Sequence, residues 1–283
     1  MADIPEAEKV AIATHYLMSS PPHEAREVLA DVKIVLNPPS LLTDGVLRSI
    51  FRKYNLQNFE TIEADGSSLL LNEYAELDAK HFTDGRGNVF QVEHVTQKAT
   101  KVTDGPEFTP GPNEKTRLAI QTAVDEYCQV QFVDGCAVCS VLEREGGELY
   151  ICLSGSKANL RNYWSGKWKS EWKLNLASSE ISGKVRIVVH YFEDGNVQLD
   201  QNKDVIAKKL SAKESEPTAL AQQVKEFIRQ QEADIQDTLE EMYQNMGVET
   251  FKDMRRVLPI SKTKMDWTGA QLKLSQMSGK GKN

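Results

Sequence analysis

Apolar side chains recur at three- and four-residue spacing from Pro217 to Met246, at Leu220, Val224, Phe227, Ile228, Ile235, Leu239, Met242, Tyr243 and Met246, with mostly charged and amide residues between them. That spacing predicts one long helix carrying a single apolar stripe. Pro217 suits its first turn, where an amide hydrogen needs no partner, and Gly247 suits the left-handed turn that ends it. At about 1.5 Å per residue the helix extends roughly 45 Å. The short strands predicted ahead of it span only roughly 25 Å of sheet. Part of the stripe therefore overhangs. Either the N-terminal helices of the same chain or a second polypeptide continuing the sheet must cover it.

Three further helical patterns open the chain: Val10, Ala13, Tyr16 and Leu17; Ala25, Val28, Leu29, Val32, Val35 and Leu36; and Val46, Leu47, Ile50, Phe51 and Tyr54. Pro21-Pro22 and Asn37-Pro38-Pro39 separate them, and breaks that short predict antiparallel neighbours. From Glu60 to Thr96 the pattern turns to short strands, with a turn at Asp84-Gly85-Arg86-Gly87. Lys98 to Pro112, rich in Gly and Pro, reads as a linker. A helix follows, with Asn113 as N-cap and Leu118, Val124 and Tyr127 facing inward. Strands then dominate, at Gln129–Val133, Ala137–Leu142, Leu149–Leu153, Tyr163–Leu176, Lys184–Phe192 and Asn196–Leu199. Gly146-Gly147 and Asp194-Gly195 suit tight hairpins, so the strands form an antiparallel meander and the fold class is α+β. The predicted regions are an N-terminal helical stalk (1–58), a short-strand region and linker (59–112), a helix plus strands (113–160), a central sheet (161–210), the long helix (211–250) and a C-terminal segment (251–283).

Charge separates that last segment from the rest. The whole chain carries −7, yet eight basic residues against two acids from Lys252 onward give that segment +6 and leave −13 on the body. Such a split predicts a basic surface kept for an acidic partner and argues against general nucleic-acid binding by the body. No apolar run reaches the roughly 18 residues of a membrane span. Met1 to Met18 carries acids where a signal peptide needs a basic and then an apolar stretch, so a cytoplasmic protein is expected.

Candidate chemistry is sparse. Cys136-x-x-Cys139 has the spacing of a metal site but lacks a second pair, and on a strand residues three apart face opposite ways, so Cys128, Cys136, Cys139 and Cys152 are expected to be buried thiols. Asp200-x-Asn202-x-Asp204 begins like a calcium loop, but Val205 and Ser211 stand where the turn Gly and the closing Glu belong. Gly85-x-Gly87 lacks the rest of a phosphate loop. No catalytic residue, metal site or cofactor is expected. In Tyr163-Trp-Ser-Gly-Lys-Trp-Lys-Ser-Glu-Trp172 the residues Trp164, Gly166, Trp168, Trp172, Leu174 and Leu176 share parity, so a strand places all six on one face.

Tyr163 to Trp172 resembles the signature of the F-actin capping protein alpha subunit, the CapZ family, with Ser165 in place of Asn. His190-Tyr-Phe-Glu-Asp-Gly-Asn-Val-Gln-Leu199 and Phe251-Lys-Asp-Met-Arg-Arg-Val-Leu-Pro-Ile-Ser-Lys-Thr-Lys-Met-Asp-Trp267 resemble two further family segments, in the right order. The resemblance implies an obligate heterodimer with a beta subunit, one sheet continuous through both chains, and long helices lying across it. It places Trp164, Trp168, Trp172, Val224, Phe227, Ile228, Ile235, Leu239 and Met242 at the subunit contact. It implies non-enzymatic, calcium-independent capping of the actin filament barbed end without severing. The basic residues Lys252, Arg255, Arg256, Lys262 and Lys264, with Trp267 and Leu272 of a C-terminal amphipathic "tentacle", would contact actin. Lys262 stands where the family carries Arg, and a lysine lacks the bidentate fork. Phosphoinositides and regulators of the ankyrin-repeat and capping-protein-interaction-motif types are implied as further partners, at the actin cytoskeleton. The rival reading is a phosphoinositide- or nucleic-acid-binding module that uses the same basic segment.

Overall fold

A computed structural model describes residues 4–64, 66–132, 137–144, 146–193 and 195–245. The chain divides into two compact units, Met1–Ile228 and Arg229–Asn283.

The first unit begins with helices α1 (Glu6–Met18), α2 (Ala25–Val35) and α3 (Asp44–Asn58). Thr43 caps α3, its hydroxyl oxygen accepting from the Val46 amide at 3.4 Å, and Phe59 ends the helix in the left-handed region at φ 52°. Leu17, Leu29, Leu47, Ile50, Phe51 and Tyr54 form the buried seam between the three helices. Tyr16 and Val35, predicted inward, are 59% and 83% exposed. Three helices meeting in one layer bury only the stripe where they touch, and that stripe is narrower than the apolar face the sequence offers.

Two small antiparallel sheets follow: β1 (Thr61–Ala64) with β2 (Ser67–Leu70), and β3 (His81–Thr83), β4 (Val89–Glu93) and β5 (Lys98–Val102). Lys98–Val102, read from sequence as linker, is thus a strand; it lies at a sheet edge with mostly exposed side chains, so no apolar alternation marks it. The predicted turn is present, with Asp84 Oδ1 accepting from the Arg86 and Asn88 amides at 2.7 and 3.1 Å.

Helix α4 (Glu114–Gln131) starts after Asn113, but that side chain makes no cap bond. Glu143 instead accepts from the Asn113 amide and side chain at 3.1 and 2.6 Å. Leu118, predicted inward, is 45% exposed, whereas Ile120, Val124, Tyr127 and Cys128 are buried. Gln129–Gln131, predicted as strand, complete the helix, because the buried stripe through Val124, Tyr127 and Cys128 keeps its helical period; Val133 lies outside the described residues.

The main sheet is an antiparallel meander of β6 (Ala137–Arg144), β7 (Glu148–Asn159), β8 (Trp164–Asn175), β9 (Glu180–Tyr191) and β10 (Val197–Lys209), in the order β10-β9-β8-β7-β6. Gly146 and Gly147, both at positive φ, make the predicted tight turn between β6 and β7. Strand β10 is far longer than the predicted Asn196–Leu199. Its polar residues pair with β9 as far as Lys209, and a one-strand edge needs no apolar face to persist. Helix α5 (Pro217–Asn245) is the predicted long helix. Its first turns, to Ile228, belong to the first unit and the rest to the second; Met246 and Gly247 lie outside the described residues.

Candidate functional site

Register decides what each face of the main sheet presents. Trp164, Gly166, Trp168, Trp172 and Leu174 share one face of β8, as parity predicts. Trp172 is fully buried and meets Phe227 edge-on, with ring centroids 5.8 Å apart. Gly183 stands opposite Trp172 because a Cβ there would lie 2.2 Å from the indole. Leu220, Val224, Phe227 and Ile228 are buried as well. Of the residues expected at a subunit contact, Trp172, Val224, Phe227 and Ile228 are therefore covered by this chain itself. Trp164 and Trp168 remain half-buried, as do Ile235, Leu239 and Met242 along the second unit's stretch of helix. Beside Trp164, Tyr163, Tyr191 and Val197 are 44%, 41% and 59% exposed.

The opposite face is polar. Glu24 Oε1 accepts from Ser165 Oγ at 2.9 Å and contacts His190 Nδ1 at 2.7 Å, joining the start of α2 to β8 and β9. Lys167 and Glu60 form a buried ion pair at 2.5 Å. Lys169 Nζ donates to the Gln57 carbonyl at 2.7 Å and sits 3.8 Å from the Phe59 ring centroid, where burial pushes its pKa down. Tyr74 donates to Glu171 at 2.8 Å, and burial followed by that bond holds its phenol well above the ordinary range. Arg186 is bonded to Asp200 at 3.0 and 2.8 Å. A cleft of about 660 Å³, lined by Ser20, Tyr54, Gln57, Glu60, Lys167 and Arg186 among others, lies between these groups and the helices.

Sequence reasoning missed this joint, since Ser165, Lys167, Lys169 and Glu171 alternate with tryptophans as a solvated face would. Only the distant partners Glu24, Glu60 and Gln57 reveal its burial. The thiols Cys128, Cys139 and Cys152 are buried and free as expected, while Cys136 lies outside the described residues. Asp200, Asn202 and Asp204 sit within β10. Among the described residues no cluster of three His, Cys, Asp or Glu side chains could hold a metal ion.

The two sheet edges differ. The outer backbone of β6 is met by side chains of α4, whereas among the described residues β10 pairs only with β9, with Ile206 89% and Val197 59% exposed. Between α1 and α2 an apolar groove of about 600 Å³ is lined by Ile12, Tyr16, Val28, Val32, Val35 and Leu36 among others. The expected actin-contact residues Lys252, Arg255, Arg256, Lys262, Lys264, Trp267 and Leu272 lie outside the described residues.

A family model described as "F-actin capping protein alpha subunit" matches residues 13–277. The chain belongs to that family. The F-actin-capping protein subunit alpha of Caenorhabditis elegans is 32% identical over 279 residues, covering 96% of this chain and 97% of the relative. The subunit of the same name from Dictyostelium discoideum is 31% identical over 266 residues, covering 92% and 93%. Among solved structures, a homodimeric actin capping protein alpha subunit from Plasmodium berghei superposes with a TM-score of 0.71 at 22% identity, covering 89% of this chain and 98% of that one, and so shares the fold. As an alpha-family member the chain is a non-enzymatic actin-capping subunit that acts at filament barbed ends. Among the described residues no helix is long and apolar enough to cross a membrane.

Proposed function

We propose that a capping protein beta subunit joins this chain along β10, and that the resulting complex seats the basic C-terminal segment on actin at the barbed end. The observation that carries this reading is the bare β10 edge. It is thirteen residues long, and its outer backbone donors and acceptors meet no further strand among the described residues and are open to one laid beside them. The half-buried Trp164 and Trp168, with Tyr191 and Val197, extend the contact onto one sheet face. The α1–α2 groove offers a second apolar surface of the kind partner proteins cover. At the barbed end, Lys252, Arg255, Arg256, Lys262 and Lys264 act as a cluster, since an exposed pair contributes only about 0.2–1 kcal/mol alone. Trp267 and Leu272 add apolar contact. The same cations would attract phosphoinositide headgroups, and ankyrin-repeat and capping-protein-interaction-motif regulators are further partners in this reading.

Co-expression with a beta subunit followed by pyrene-actin elongation tests the proposal. The complex is expected to stop barbed-end growth at low salt. Lys252→Ala with Arg256→Ala and Lys262→Ala is expected to weaken that arrest at least tenfold, and an unchanged arrest would remove the site assignment while leaving the family intact. Trp164→Arg is expected to reduce capture of the beta subunit. The homodimeric Plasmodium berghei relative favours a second reading, in which β10 receives a second copy of this chain. Light scattering on the chain expressed alone separates the two: aggregation fits the heterodimer, and a stable dimer fits the homodimer.

A further inference from the structure

We infer that Arg117 and Gln121 of α4 act as a built-in stop on the β6 edge, so that a partner strand enters at β10 alone and assembly ends after one added chain. The seal rests on its own geometry; the stop also rests on the reading that a partner joins at β10. In an antiparallel pair, alternate residues turn both backbone groups toward the neighbour or both away from it. Cys139 and Val141 are two apart on β6, and three of their four outward backbone groups are taken by α4 side chains. Gln121 Oε1 accepts from the Val141 amide at 2.7 Å, and Gln121 Nε2 donates to the Cys139 carbonyl at 3.4 Å. Arg117 Nη1 donates to the Val141 carbonyl at 2.7 Å. A carboxamide offers one acceptor and one donor much as a peptide group does, so Gln121 occupies the place of a neighbouring strand.

Both side chains are fixed. Glu114 holds Arg117 with two bonds, at 2.6 and 2.7 Å, and Asp125 receives Gln121 Nε2 at 3.1 Å. Arg86, from the turn after β3, in turn holds both oxygens of Asp125 at 2.7 Å. Gly85 of that turn, at φ +71°, comes so close that a Cβ would lie 3.3 Å from both the Val141 carbonyl oxygen and Arg117 Nη1. Arg117 and Gln121 are 1% and 3% exposed. A helix laid on a sheet edge for apolar contact alone would not bury a guanidinium and a carboxamide there, because each is costly to desolvate without an acceptor or donor to meet it.

The test uses the purified complex carrying Gln121→Met, which keeps the side-chain length and removes both bonds. Amide exchange at Val141 is expected to rise about tenfold or more while the β8 amides stay slow. The complex mass by light scattering is expected to grow with concentration beyond the wild-type value. Unchanged exchange in Gln121→Met overturns the seal. Faster exchange with an unchanged mass at every concentration overturns the stop. Should Gln121→Met not fold, the wild-type complex still decides the seal: its Val141 amide must exchange as slowly as the central β8 amides, and exchange at the rate of exposed amides overturns it. Failure of wild type to assemble with any partner would fall on the β10 reading and leave the exchange result standing.

Discussion

On one face of the main sheet Trp172, Leu174, Ile181 and Val185 are buried, as are Leu220, Val224, Phe227 and Ile228 of α5, and Trp172 meets Phe227. On the other face the N-terminal helices reach β8 and β9 through Glu24, Gln57, Asn58 and Glu60, bonded to Ser165, His190, Lys169, Arg186 and Lys167. Apolar burial stabilises in proportion to area and is indifferent to small rotations. A hydrogen bond adds only about 0.5–1.5 kcal/mol net but fails when its geometry does. The first face therefore supplies stability, and the second fixes the angle at which the helical layer stands on the sheet. That angle matters to the proposed assembly, because a partner reaching β10 must also find the α1–α2 groove.

The comparison breaks most sharply at Trp172. Trp172→Ala removes the largest fully buried side chain among the described residues and its contact with Phe227, and is expected to lower unfolding free energy by about 3–5 kcal/mol in denaturant titration of the complex. A loss below about 1 kcal/mol would show that the α5 face is not the main source of stability. On the polar face, Glu60→Ala strands the Lys167 ammonium at 6% side-chain exposure and is expected to cost about 3 kcal/mol. Combining Glu60→Leu with Lys167→Met should recover most of that loss, since buried pairs often give little net stability over apolar replacements. A double-mutant cycle reads the coupling directly. A double variant as unstable as Glu60→Ala alone would mean that the pair supplies stability as well as orientation.

The α5 face was readable because Trp164, Trp168, Trp172 and Leu174 obey a two-residue period and Leu220, Val224, Phe227 and Ile228 a helical one, and each period is local. The polar face was hidden because Lys167 and Glu60 are 107 residues apart and each alone looks solvated. Strand β10 was cut short for a related reason: Asp200 to Asp204 and Lys208 to Lys209 carry no alternation, and pairing with β9 settles their structure. The seal on β6 had left a trace. Arg117 and Gln121 fall on the same stripe as Val124 and Cys128, so two polar residues on a buried helical face already asked for buried partners.

A smaller effect sharpens the comparison at Lys169. Its ammonium is desolvated and, among the described residues, no carboxylate lies within salt-bridge distance, so Lys169→Met trades a charge disfavoured by burial for the loss of its bond to Gln57 and its contact with Phe59. Thermal unfolding is expected to change by less than about 1 kcal/mol in either direction. A loss as large as that of Glu60→Ala would make Lys169 a principal anchor of the joint.

The smallest expected effect is the pH response of the polar face, which the apolar face should lack. His23 is exposed on its outer side but crowded by the joint on the other, and that desolvation lowers its pKa below its ordinary value of 6.5; among nearby charges Glu60 and Glu24 oppose the shift while Lys167 adds to it. A histidine whose folded pKa is depressed binds protons more readily once unfolded. Its contribution is therefore complete above pH 6.5 and is lost as pH falls below that value toward the folded pKa. Between pH 7.5 and pH 5.5 the wild-type complex should lose slightly more thermal stability than His23→Asn, by no more than about 2 °C because solvent screens an exposed side chain. Asparagine is the suitable replacement because His23 has φ 66°, a conformation asparagine tolerates. Trp172→Ala should shift both melting curves together without changing the wild-type pH slope. Identical slopes for wild type and His23→Asn would show that desolvation of this imidazole does not contribute to the joint.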